Sequence, residues 1–144
     1  MIIAVDFDGT IVEHRYPRIG KERPYATETL KKLIADGHKL ILWTVREGET
    51  LDDAVAFCHD RGVDFWGVNC NPDEVRKGSK ELRKVKADLY IDDTNIGGLP
   101  EWPQIYEKIQ KGTIREMNPE DFPQLGAEGD SQKSRHSIWP WSRK

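Results

Sequence analysis

Apolar residues in this chain fall into short runs separated by stretches of helical periodicity. Ile2 to Phe7 is apolar except at Asp6, which has the length and composition of a buried strand. A polar loop follows from Asp8 to Pro24 and carries Arg15, Tyr16, Pro17, Arg18 and Gly20. Ala26, Leu30, Leu33 and Ile34 then recur at helical spacing, and Gly37 ends the pattern. Lys39 to Thr44 (KLILWT) predicts a second strand. Thr50 with Asp53 three residues on predicts a capping box, after which Leu51, Ala54, Val55 and Cys58 line one helix face up to Gly62. Asp64 to Asn69 predicts a weaker third strand. The stretch from Asn71 to Lys86 is polar and basic, and Ala87 to Asp93 (ADLYIDD) predicts a fourth strand. Trp102, Ile105, Tyr106 and Ile109 mark a last helix, closed by Gly112.

Strands alternating with amphipathic helices imply right-handed βαβ units, and so an α/β fold with a parallel sheet and helices on both faces. Ligands on such sheets bind beyond the carboxyl ends of the strands. One domain is expected over residues 1–123. From Gln124 the chain turns polar and aperiodic, with Gly and Ser, so 124–144 reads as a mobile tail. Trp139-Pro140-Trp141 within it is either a docking motif or a pair of aromatics on an unstructured or packed end.

Composition narrows the classes. Charged residues make up 33% of the 144, yet the net charge is -3. That balance gives no footprint for generic nucleic-acid binding. Cys58 and Cys70 have no metal-ligand spacing and are expected as buried free thiols. The N-terminal apolar run meets Asp6 too soon for a signal peptide. No stretch approaches the roughly 20 apolar residues of a membrane span. A soluble, cytoplasmic protein is expected.

The candidate chemistry sits at strand ends. The first strand delivers Asp6 and Asp8, the second Thr44, and the fourth Asp92 and Asp93. Lys77, Lys80, Lys84 and Lys86 precede the fourth. If the strands are parallel, these groups share one edge without proximity in sequence. Two carboxylates one residue apart repel, and a hard cation such as Mg²⁺ would offset that repulsion. A carboxylate beside the ion could attack phosphorus, with metal, lysine, hydroxyl and backbone N–H groups neutralising the phosphoryl oxygens. Each part alone has a plainer reading: a turn at Asp8-Gly9, a strand-end threonine, a solvated lysine-rich face.

The DFDGT of the first strand, the apolar strand ending in Thr44, a lysine before the fourth strand and the closing YIDD resemble the haloacid dehalogenase (HAD) superfamily from Met1 to about Gly112. The resemblance implies a Rossmann-like three-layer sandwich around a central parallel sheet. It also implies roles. Asp6 would be the nucleophile, and Asp8 the general acid that protonates the leaving oxygen, then the base that activates water. Thr44 would bind the transferring phosphoryl group and Lys84 would neutralise it, with Lys80 and Lys86 as rivals. Asp6, the Asp8 carbonyl, Asp92 and Asp93 would hold Mg²⁺. The second acid, Asp8, points to phosphatase rather than dehalogenase chemistry. Neither insertion point leaves room for a cap domain, so the site is expected to be open. Arg46, Arg15 and Arg18 would grip a second anionic group of the substrate, or are solvated loop arginines.

The expectation is therefore a capless, Mg²⁺-dependent phosphatase working through an aspartyl-phosphate on Asp6. Its substrate would be a macromolecular phosphoester, or a small phosphorylated molecule enclosed by a neighbouring subunit of a homo-oligomer. A receiver-like phospho-signalling module and a catalytically inactive HAD-fold binding protein are the alternatives.

Overall fold

The computed structural model describes residues 1–78 and 84–114. Lys80 and the tail with Trp139 and Trp141 lie outside the described residues. The elements run β1 (Ile2–Val5), α1 (Ala26–Ala35), β2 (Lys39–Leu42), α2 (Gly48–His59), β3 (Gly67–Val68), α3 (Pro72–Arg76), β4 (Leu89–Ile91) and α4 (Trp102–Lys111). All strand pairs are parallel and the sheet order is β3-β2-β1-β4. Val5 pairs with Leu42 on one side and Ile91 on the other. Three strands thus end in line, and the residues that follow them emerge together. The architecture is the expected α/β parallel sheet flanked by helices, consistent with a Rossmann-like three-layer sandwich.

Alternate strand residues face opposite sides of the sheet. Ile3, Val5, Leu40 and Leu42 join Leu30 and Leu33 of α1, Ala54 and Cys58 of α2, and Ile105 and Ile109 of α4 in the main core. Ala4 and Ile41 face the other way and pack with Val85, backed by Trp43, Trp66 and Tyr90. Asp36, which caps α1, accepts hydrogen bonds from Tyr106 (2.8 Å) and Gln110 (2.7 Å), pinning α4 to α1. Among the described residues, no further domain occupies the connections on either side of β2. Among the described residues, no helix is long and apolar enough to cross a membrane.

The strands are shorter than the apolar runs suggest, because Phe7, Thr44 and Asp93 already belong to the loops that build the site. The third strand shrinks from the expected 64–69 to two residues. Asn69 then takes a left-handed conformation (φ 51°) that turns the chain. The capping box at Thr50 does not form. Glu47 is the N-cap residue of α2, and Thr50, already inside the first turn, donates its hydroxyl back to the Glu47 carbonyl at 2.8 Å. Helix α3 was not anticipated, although Asn71-Pro72 is a start signal. Asn71 Oδ1 accepts from the N–H groups of Asp73 (3.0 Å) and Glu74 (3.4 Å), and its amide donates to the Lys86 carbonyl at 2.9 Å. Of the two free thiols only Cys58 is buried; Cys70 is half-buried.

Candidate active site

Asp6 is the first residue past β1. Its N–H still bonds the Ile91 carbonyl at 2.9 Å, which carries the β1–β4 pairing one step beyond the strand. That register sets Asp6 beside Asp92 and Asp93, the first residues past β4. Carboxylate oxygens of Asp6, Asp92 and Asp93 lie within 4.8 Å of one another. All three residues are half-buried. Three acids from two strand ends form an all-oxygen donor set of the kind hard divalent cations take.

Thr10 organises this cluster, a role that sequence reasoning misses although the residue stands in DFDGT. Its hydroxyl oxygen accepts from the Asp93 N–H at 3.0 Å, while its proton points to Asp6 Oδ2, also at 3.0 Å. A hydroxyl has one proton, so the Asp93 Oδ1 contact at 3.4 Å is the weaker alternative. Thr10 is itself anchored, since its carbonyl accepts from the buried Trp102 indole at 3.1 Å. The Asp6 carboxyl is pushed up to about 6 from 3.8. Burial is the main cause and the charges of Asp92 and Asp93 add to it, against bonds from the Phe7 N–H and the Thr10 hydroxyl that pull the other way.

The side chain of Asp8 stands apart from these acids. Both of its oxygens bond Arg46, Oδ2 to Nε at 2.6 Å and Oδ1 to Nη2 at 2.7 Å. Arg46 is 0% exposed, so it is neither a solvated loop residue nor open to a substrate anion in this conformation. The Asp8 bond raises the arginine's already high pKa further.

Thr44, two residues past β2, is positioned by its backbone. Its N–H donates to Asn69 Oδ1 at 2.8 Å, and its hydroxyl oxygen accepts the Arg46 N–H at 3.2 Å. Among the described residues, no acceptor takes the hydroxyl proton, which leaves it for a ligand. Asn69 is the contribution of the third strand's end, and it too was missed. Among the described residues, neither Lys84 nor Lys86 pairs with the acids. Lys84 is exposed, with Nζ 4.3 Å from the centre of the Tyr90 ring, and Lys86 is exposed as well. Among the described residues, no ion pair joins either lysine to Asp6, Asp8, Asp92 or Asp93. Arg15 and Arg18 are exposed and, with Glu13 and Lys21, line an open cleft of about 400 Å³.

Fold and site together define an α/β protein with a parallel sheet and an acidic cluster at its carboxyl edge. No protein-family model matches the chain, and no curated protein matches it. The solved structure of a conserved protein from Bacteroides thetaiotaomicron is 58% identical, with a TM-score of 0.73, over 78% of this chain and 91% of that one. The chain belongs to the same family as that conserved Bacteroides protein.

Proposed function

We propose that the protein is a Mg²⁺-dependent phosphatase of the HAD type that hydrolyses phosphate monoesters through an aspartyl-phosphate. The observation that carries this reading is the convergence of Asp6 with Asp92 and Asp93, from strands that are neighbours only through the parallel topology. Asp6, Asp92 and Asp93, with the Asp8 carbonyl, would hold Mg²⁺, which supplies charge neutralisation at the phosphoryl oxygens.

A carboxylate oxygen of Asp6 attacks phosphorus, the bond from phosphorus to the ester oxygen breaks, and Asp8 hands its proton to the departing alcohol. Water then attacks the aspartyl-phosphate and gives a proton to Asp8. The bond between phosphorus and Asp6 breaks, releasing inorganic phosphate and restoring both acids. The Thr44 hydroxyl proton binds a phosphoryl oxygen. Each Asp8 oxygen engaged by Arg46 keeps a second lone pair for the proton it moves. No described group lids the site, which suits a phosphorylated macromolecule or a small substrate enclosed by a second subunit. Free cysteines accord with a cytoplasmic setting.

Incubation of purified protein with an aryl phosphate tests the reading. Turnover with Mg²⁺, loss of turnover in chelator, and phosphate trapped on Asp6 are expected. Equal rates with and without chelator, or phosphate trapped on another residue, would overturn it. Metal binding without turnover would favour the binding-protein alternative.

A further inference from the structure

Arg46 is among the largest fully buried side chains of the protein. A guanidinium has five N–H donors in a rigid planar fork, and here all five are engaged. Nε and Nη2 bond the two oxygens of Asp8 at 2.6 and 2.7 Å. Nη2 also donates to the Arg18 carbonyl (2.9 Å), and Nη1 donates to the carbonyls of Pro17 (3.0 Å) and Thr50 (3.3 Å). The Phe7 and Tyr16 rings stand 5.1 and 5.2 Å from the guanidinium carbon, within cation–π reach.

We propose that Arg46 is the positioning residue for Asp8, holding its carboxylate in one orientation and outside the Asp6–Asp92–Asp93 cluster. The inference rests on the phosphatase reading, and it replaces the idea that Arg46 grips a substrate anion. Desolvating an ion pair is costly, and apolar packing would stabilise the fold as well or better. The charge therefore asks for a purpose beyond stability. A fourth carboxylate, two residues from the nucleophile, would be drawn to any cation the other three hold. The fork opposes this by fixing the direction of both Asp8 oxygens at once. It also sets the loop of Pro17 and Arg18 relative to the acid. Lysine offers a point charge and cannot fix both oxygens in one plane.

Single-turnover kinetics of the full chain with an aryl phosphate and Mg²⁺ separate this role from a structural one. An aryl leaving group needs little protonation, so Arg46→Lys should form the phospho-enzyme at close to the wild-type rate. Its decay, which needs Asp8 as base, should slow by roughly 10²-fold. In an Asp8→Asn background the same substitution should slow decay no further, because it acts through Asp8. Arg46→Ala should be rescued by added guanidinium and not by ammonium. Formation and decay falling together in folded Arg46→Lys would overturn the proposal. So would additive effects with Asp8→Asn, or failure of both Arg46 variants to fold, which would make the arginine a fold determinant. A wild-type protein that forms no phospho-enzyme would remove the phosphatase reading itself, and this inference with it.

Discussion

A Cβ on Gly9 would stand 2.1 Å from Asp93 Oδ2. Gly9 has φ +89°, a conformation in which a side chain is strained before any contact is counted. The glycine of DFDGT thus serves two ends, turning the chain after β1 and leaving room for an acid of the neighbouring strand. Gly9→Ala should fold, at a cost of about 1–3 kcal/mol in backbone strain, with Asp93 displaced. A misplacement of that order costs roughly 10²-fold in turnover. The measurement is aryl-phosphate hydrolysis together with the Mg²⁺-induced rise in melting temperature. A folded Gly9→Ala protein with unaltered Mg²⁺ response would contradict the assignment of Asp93.

What could be read from the sequence depends on where each residue finds its partners. Asp6, Asp92 and Asp93 were legible because parallel strands bring their ends to one edge whatever the details of packing. The helices of Leu30 and Ile105 were legible from periodicity alone. Arg46 was not, since its partners Asp8, Pro17 and Arg18 lie 28 to 38 residues away, and no local pattern separates a buried arginine from a solvated one. Thr10 and Asn69 escaped for the same reason. Each acts through a hydrogen bond across strands, to Asp93 and to the Thr44 N–H. For Lys84 spacing alone cannot say where a long flexible side chain rests, and in the structure its ammonium lies over the Tyr90 ring.

Thr10 offers a test of how the acid cluster is held. Thr10→Val keeps the shape and removes the hydroxyl, leaving the Asp93 N–H without its acceptor and Asp6 without its donor. Loss of a partner to a buried donor costs about 1–3 kcal/mol, so the urea midpoint should fall by a corresponding amount. Turnover should fall as well. Thr10→Ser, which retains the hydroxyl, should restore most of both. If Val and Ser variants match in stability and turnover, the hydroxyl does not organise the site.

The raised pKa of Asp6 predicts the direction of a pH effect on stability. Without metal, Asp6 holds its proton up to about pH 6 in the folded chain, against 3.8 for the unperturbed group. Between these values the folded state binds more protons than the unfolded one, so stability falls as pH rises through the window and levels off above it. Asp6→Asn has no carboxylate to ionise there. Melting temperatures measured in chelator should therefore show the wild type losing ground to Asp6→Asn from pH 4 to pH 6. Above pH 6 the variant should be the more stable protein. Added Mg²⁺ should reverse the order at pH 7, because a cation binds the ionised cluster and competes with the proton. It should raise the wild-type melting temperature far more than that of the variant. Parallel pH profiles for the two proteins in chelator would show that burial and the neighbouring acids do not hold the proton on Asp6.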